Sequence, residues 1–343
     1  MEGFRAQAHE ALQELDFVRA ANEHEFITVV SGETIEVKRI SMPVSEIALR
    51  CKAETPSKRS FRLAKVNLRN TDPNRPWRSL NASREEILQL WQAFEMEPYQ
   101  LYLLSRCVRG FQRLQLPGTF PHKQHYFANY DSHCILWTYD ISSLTGSGLI
   151  VVRRRGGYEY SVFDQWFGLF TQHSGHVGHP LYPFLVSTAQ ILEYIYFKID
   201  KSQSGIRAVE SVSGFHPWHD RERLLDSINS IDSDGLDELW SSSKTAGAIM
   251  VELEDVLRQV KLAQRARSAF DDLCMPMDTP ILQALAREAE PAVYILWKQL
   301  DSAEDVVQYL RGRATNQLTV VGFSPLLRAR RAPPLTGPSS SST

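Results

Sequence analysis

Residues 244–274 read KTAGAIMVELEDVLRQVKLAQRARSAFDDLC, and residues 279–321 read TPILQALAREAEPAVYILWKQLDSAEDVVQYLRGRATNQLTVV. In the first run Ile249, Leu253, Val256, Val260, Ala263, Ala266, Phe270 and Leu273 recur at steps of three and four. That spacing gathers them on one side of a helix. Glu252, Asp255, Arg258, Lys261 and Arg265 fall on the opposite side, as an exposed face would. In the second run Thr279-Pro280 supplies an N-cap and then a proline in the first turn, where the missing N–H costs nothing. Pro291 predicts a break or kink. Ser302 and Asp305 have the spacing of a capping box, with Asp in place of Glu or Gln, and predict a fresh helix start. The last helix carries Val306, Val307, Leu310, Ala314, Leu318 and Val321, after which the apolar pattern stops.

A hydrophobic fraction of 43% with 23% charged residues suits a chain that buries a core, and 343 residues make one large domain or two. A formal charge of -2 gives no global drive toward nucleic acid or anionic lipid. Cys51, Cys107, Cys134 and Cys274 lie far apart in sequence with no C-x-x-C pair. This speaks against a disulfide framework and a zinc knuckle and fits a reducing compartment. Met1 to Asp16 hold no signal-peptide core, and no window has the ~18 apolar residues that a membrane-spanning helix needs.

Upstream, residues 1–21 favour a helix through Phe4, Ala8, Leu12, Leu15 and Val18. Phe26 to Ile40 reads as a hairpin turning at Ser31-Gly32. Phe61, Leu63, Val66 and Leu68 mark a third strand, and Asp72-Pro73 and Arg75-Pro76 a loop. Ser83 with Glu86 is a capping box that opens a helix through Ile87, Leu90, Trp91 and Phe94. Pro98 restarts a second helix, for which Gly110 is the expected stop. Residues 124–155 form the main β segment, in which Cys134 to Tyr139 are apolar on both alternations, as in a strand covered on both faces. Gly146-Ser147-Gly148 is expected to turn the chain into a return strand at Leu149 to Val152. Helices follow over Tyr160 to Phe170 and Leu181 to Ile199, with a short one around Leu224 and Ile228. From Arg311 to Thr343 there are five arginines and no acid, and Arg328 to Thr343 offers almost nothing to bury.

The fold class expected is α+β: a mixed sheet flanked by helices over 1–240, a helical, stalk-like array over 241–321, and a disordered Arg/Pro/Ser tail over 322–343.

Few residues suggest chemistry. His173, His176 and His179, spaced by three, are a candidate transition-metal set. Gly175 and Gly178 between them favour a helix-ending loop over a rigid ligand face. His216 and His219 flank Pro217-Trp218 as a turn would. Arg153-Arg154-Arg155 reads as a solvated strand exit in preference to a phosphate site. Gly146-Ser147-Gly148 lacks the spacing of a P-loop or a dinucleotide fingerprint. His9-Glu10 and His24-Glu25 lack the second His of a zincin helix, and there is no G-x-S-x-G elbow. Asp232, Asp234 and Glu238 around Gly235 miss the EF-hand order. Asp271-Asp272 and Glu304-Asp305 read as helix-terminal and exposed charge. Trp91, Trp137, Trp166 and Trp297 read as core.

Three stretches carry a family resemblance: Ser83-Arg84-Glu85-Glu86 running to Phe94 and Pro98, His133-Cys134-Ile135-Leu136-Trp137-Thr138-Tyr139-Asp140, and Ala314 to Val321. With the order of elements around them, over roughly residues 60–321, the chain resembles the soluble part of fungal CorA-like proteins, relatives of the CorA magnesium channels. The resemblance implies an N-terminal α/β/α domain, a long stalk helix, two transmembrane helices, a Gly-Met-Asn triplet at the pore mouth and a pentamer around a magnesium pathway. Gly-Met-Asn is absent here and no membrane pair follows Val321. The expectation is a truncated or frame-shifted relative, unable to transport ions alone, cytoplasmic and non-enzymatic. No catalytic, cofactor or metal residue is assigned, and no nucleic-acid partner or integral membrane segment is expected. The stripe on Lys244 to Cys274 would pair helices within the domain or between subunits in coiled-coil fashion. Two alternatives stand beside this one: an intracellular helical adaptor that also uses its basic tail, and a metal enzyme built on His173, His176 and His179.

Overall fold

The structure is a computed structural model, and it describes residues 23–53, 59–68, 79–114, 122–130, 132–152, 162–213, 233–274 and 280–331, with positions 10, 13 and 15–17 before them. In chain order the strands are β1 (Asp16–Phe17), β2 (His24–Ser31), β3 (Ile35–Met42), β4 (Ser60–Asn67), β5 (Ser79–Leu80), β6 (Gly110–Leu114), β7 (Lys123–Asn129), β8 (His133–Asp140) and β9 (Thr145–Val152). The helices are α1 (Val44–Ala53), α2 (Arg84–Ala93), α3 (Pro98–Ser105), α4 (Val162–Gln172), α5 (Tyr182–Ser213), α6 (Ser233–Cys274) and α7 (Pro280–Arg331). The protein is α+β: a mixed seven-stranded sheet with helices, then a C-terminal helical array.

The sheet order is β3-β2-β4-β9-β8-β7-β6, and β1 pairs with β5 separately. Only β4 and β9 are parallel; the other neighbours in the large sheet run antiparallel. Alternation along each strand sends side chains to two faces, and on β4, β8 and β9 both are largely buried. On one face Phe26, Ala64, Val66, Phe127, Cys134, Leu136, Leu149 and Val151 join Ile47 of α1, Ile87, Leu90 and Trp91 of α2, and Leu101 and Leu104 of α3. On the other face Phe61 meets Phe170 of α4 and Tyr182 of α5, with ring centroids 5.9 and 6.0 Å apart. His133 there meets Trp166 at 4.9 Å.

The Cα packing divides the chain into two units, Met1–Glu193 with Lys261–Leu300, and Tyr194–Val260 with Asp301–Thr343. These boundaries differ from the sequence divisions at 240 and 321. In the second unit α6 runs antiparallel to α5 and α7. Lys198 pairs with Glu252, Glu254 lies 3.8 Å from Arg311, and Arg313 pairs with Glu210. The expected stripe of Ile249, Leu253, Val256 and Val260 is buried.

The Ser83–Glu86 capping box forms as expected, with Glu86 N–H donating to Ser83 Oγ at 3.2 Å and Ser83 N–H to Glu86 Oε2 at 2.7 Å. The hairpin and the Pro98 restart also hold. Other expectations are corrected. Asp16 and Phe17, placed in a first helix, pair in a strand with Ser79 and Leu80; the rest of residues 1–21, apart from 10, 13 and 15, lies outside the described residues. Gly146-Ser147-Gly148 does not turn the chain but lies inside β9. The turn comes earlier, with Leu144 in the left-handed region at φ 55°. Gly110 does not stop α3 but opens β6 at φ 99°. The stop is Cys107 at φ 53°, where Val108 N–H bonds Leu103 O and Cys107 N–H bonds Leu104 O, both at 3.1 Å.

Pro291 does not break α7, which is one helix of 52 residues. Pro291 and Arg287 are both exposed, so water can satisfy the carbonyl that the proline strands. Ser302 and Asp305 start no helix; both are exposed in its interior. Trp297, Leu300, Ala303, Val307, Leu310 and Ala314 continue the buried stripe straight past them. The helical backbone reaches Arg331. The expected short helix at Leu224 and Ile228, the loop at 72–76 and residues 332–343 lie outside the described residues.

The glycines of β9 are there for close approach. A Cβ on Gly148 would stand 2.4 Å from Leu136 O and 2.7 Å from Trp137 Cβ. One on Gly146 would stand 2.6 Å from the Phe61 ring. Gly148→Ala is expected to destabilise the protein by about 1–3 kcal/mol or more in urea unfolding, since the clash is with backbone. Gly168→Ala, in mid-α4 with nothing within 4 Å of the new carbon, should instead stabilise by about 0.5–1 kcal/mol.

Candidate functional site

The polar groups of the first unit concentrate where β8 meets α4, α5 and the segment between them. His133 is fully buried at the start of β8. Its Nε2 lies 2.6 Å from Ser187 Oγ of α5 and its Nδ1 2.9 Å from Ser132 Oγ. Ser132 Oγ–H donates to Gln190 Oε1 at 3.4 Å, and Gln190 Nε2–H to Gln165 Oε1 of α4 at 3.3 Å. Strand alternation puts His133 on the face of Ile135, Trp137 and Tyr139. Trp137 Nε1–H donates to Pro180 O at 2.9 Å and Tyr139 O–H to Gly178 O at 2.5 Å. The sheet thereby holds the segment that carries the three spaced histidines.

That segment is a 3-10 turn at Ser174–His176 followed by the start of α5. His173 precedes the turn and His176 ends it, both half-buried. His179 is buried, and its Nδ1 accepts the Leu181 N–H at 3.1 Å, so that lone pair is used in capping α5. Burial lowers the pKa of His173 and His176, with a further lowering of His173 by His176 and an opposing pull on His176 from Glu288. Burial and then His176 push His179 down to about 3. Among the described residues no group of three or more His, Cys, Asp or Glu is placed to hold a metal ion.

A second polar group lies on the same face at the far end of the sheet. Glu25 of β2 accepts hydrogen bonds from Arg39 Nε at 2.8 Å and from Lys65 Nζ, and Arg39 also reaches Asp164 of α4. The Phe163 ring faces both cations, 5.2 Å from Arg39 Cζ and 4.8 Å from Lys65 Nζ. Carboxylates balance the cations and an aromatic face shields them, so the group clamps three strands to α4. His24 faces the other way, with Nδ1 3.2 Å from Lys65 O and Nε2 3.7 Å from Glu86 Oε1.

Trp91, Trp137, Trp166 and Trp297 are all buried, as the sequence implied. Glu238 and Asp305 are exposed and Glu304 is half-buried. Arg153–Arg155, His216, His219, His9 and Asp232 lie outside the described residues, as do the side chains of Asp234, Asp271 and Asp272. His125 and His133 were missed by sequence reasoning. The one signal for His133 is a polar residue at an inward position of an apolar strand.

A general base works best with a pKa near the operating pH. Burial pushes His133 down to about 3, so the Ser187–His133 pair is poorly matched to activating a hydroxyl. No protein-family model and no curated protein matches this chain.

Burial, with Lys123 lowering it further, brings His125 down to about 4, while Glu95 opposes. His125, His133 and His179 therefore have folded values below the unfolded value of about 6.5. Below that pH the unfolded chain binds more protons, so stability is full above it and is lost as pH falls toward 4. Each histidine contributes a slope of up to about 1.4 kcal/mol per pH unit. Urea unfolding between pH 7.5 and 4.5 should show a steep fall that His133→Asn makes shallower; a flat profile would contradict the neutral buried imidazoles.

Proposed function

We propose that this chain is a CorA-like domain protein that works in the aqueous phase as an assembling or regulatory element and does not conduct ions alone. The observation that supports the reading is the architecture. A seven-stranded mixed sheet lies between two sets of helices and leads to a 52-residue helix, in the order the CorA resemblance implies for an α/β/α domain and a stalk. Among the described residues no helix is long and apolar enough to cross a membrane. A helical conducting path must satisfy its backbone inside the bilayer, which calls for such helices. Magnesium enters this reading through the resemblance alone, and a cytoplasmic location is part of the proposal.

The test is fractionation of the untagged protein on a density gradient. The expected result is release into the supernatant after a high-pH wash. Retention in the membrane pellet would overturn the proposal.

A second reading, an adaptor that binds other proteins through its helices, is favoured by exposed apolar side chains on α7. Tyr294 and Ile295 are 60% and 55% exposed in the first unit, and Tyr309 is 54% exposed in the second. Pull-downs with the full chain and with residues 322–343 deleted separate the contributions. Specific partners kept by both, and lost in a Tyr294→Ser/Ile295→Ser variant, are the outcome expected of a helix-borne adaptor. Partners lost with the tail alone would assign binding to the basic terminus instead.

A further inference from the structure

Two helices of the first unit end on a left-handed residue that is not glycine, Glu95 after α2 and Cys107 after α3. Glycine is the inexpensive residue at that position, so a side chain kept there calls for a reason. At Glu95 the reason is visible, since its carboxylate pairs with Lys123 of β7. Cys107 packs against the core cluster that contains Cys134. A side-chain tether links the two neighbourhoods. Asn129 of β7 stands directly opposite Cys134 of β8, and its Nδ2–H donates to the carbonyl of Val108 at 2.7 Å. Opposed residues in antiparallel strands have Cα atoms about 5 Å apart. The residue after Cys107 is thus bonded to the residue beside Cys134. Each thiol also lies within electrostatic reach of the other.

We propose that Cys107 and Cys134 form a redox couple that closes into a disulfide when the protein meets a hydroperoxide. Both cysteines are reduced in this structure. Cys107 is the half-buried member and Cys134 is fully buried, so the peroxide reaches Cys107 first. Burial also raises the Cys134 thiol, which keeps it protonated and slow toward peroxide. In the first step the Cys107 thiolate attacks the O–O bond. An S–O bond forms, the O–O bond breaks, and the leaving hydroxide or alkoxide takes from solvent the proton that Cys107 released on ionising, giving water or alcohol and a sulfenic acid. In the second step the Cys134 sulfur attacks that sulfenic sulfur. An S–S bond forms, the S–O bond breaks, and water departs with the Cys134 proton. The two thiols supply the two electrons that reduce the peroxide. The bond would join the end of α3 to β8, an interior strand of the sheet.

The experiment treats the folded full chain with hydrogen peroxide, blocks remaining thiols by alkylation, and maps peptides without reduction. Cys51 also packs against this core from α1 and serves as the internal control. The expected result is a loss of 2 Da, a linked peptide pair holding Cys107 and Cys134, and alkylated Cys51. The oxidised protein should melt at a higher temperature than the reduced one. Cys51→Ser should leave the link unchanged, and Cys134→Ser should leave a sulfenic acid at Cys107 that dimedone traps. Full alkylation of both cysteines after treatment, a link through Cys51, or a link only between chains would each overturn the proposal. The wild-type mapping decides the matter even where a variant folds poorly.

Discussion

The sheet depends on one close approach, between β9 and what crosses it. Gly148 leaves room for the Leu136 carbonyl and the Trp137 side chain, and Gly146 leaves room for the Phe61 ring. Phe61 sits on β4, the parallel neighbour of β9, and Trp137 on β8, its antiparallel neighbour. The two absent side chains let large aromatic rings lie over the middle of the sheet. There Phe61 stacks on Phe170, and Trp137 stacks on Tyr126 at 5.0 Å. A sheet buried on both faces cannot relieve a bad contact by turning a residue toward water, so these two positions fix how α4 and α5 can sit.

Burial on both faces also dictates the chemistry of the polar groups trapped inside. A buried polar atom must be bonded or bear a desolvation cost. His133 meets that requirement with a hydroxyl on each ring nitrogen, and His125 with Thr138 Oγ1 at 3.1 Å. Gln100 meets it by donating to the Tyr126 and Trp137 carbonyls at 2.7 and 3.2 Å while its own oxygen accepts the Glu97 N–H at 3.0 Å. None of the partners of His133 carries a charge to offset its burial, and burial favours the neutral imidazole. Such groups locate elements against each other more readily than they transfer protons.

How far the sequence could be read follows from where each structure is decided. The Ser83–Glu86 box and the Ser302–Asp305 pair carry nearly the same local signal. The first starts a helix from an extended N-cap, with Ser83 at ψ 161°. The second fails because a buried stripe already runs through it, and packing outweighs a cap. Pro291 fails as a breaker for the same reason. The double alternation of Cys134 to Tyr139 showed a strand covered on both faces, but glycines 146 and 148 could not be told from a turn without knowing that Phe61 and Trp137 cross them. The three spaced histidines were legible as a helix-ending loop. That His179 caps α5, and that His133 rather than any of the three sits at the centre of the polar network, depends on contacts between distant segments that no local pattern records.

In the second unit a buried ion pair joins two helices. Glu210 of α5 and Arg313 of α7 pair at only 1% and 10% side-chain exposure. One turn on, Ser213 Oγ–H donates to Gln317 Oε1 at 2.6 Å. A buried ion pair gains little stability over an apolar pair of the same size, because both charges lose their water. Its effect here is register: a shift of α7 by one turn would separate Arg313 from the buried Glu210 carboxylate. Apolar stripes alone, such as Leu253, Val256 and Val260 on α6 or Val307 and Leu310 on α7, all buried, set no register by themselves. Surfaces that serve many partners tend to repack, whereas a helix that must hold or pass on a position needs its register fixed. The Glu210–Arg313 pair, with Ser213 and Gln317 one turn on, thus holds α5 and α7 in one register.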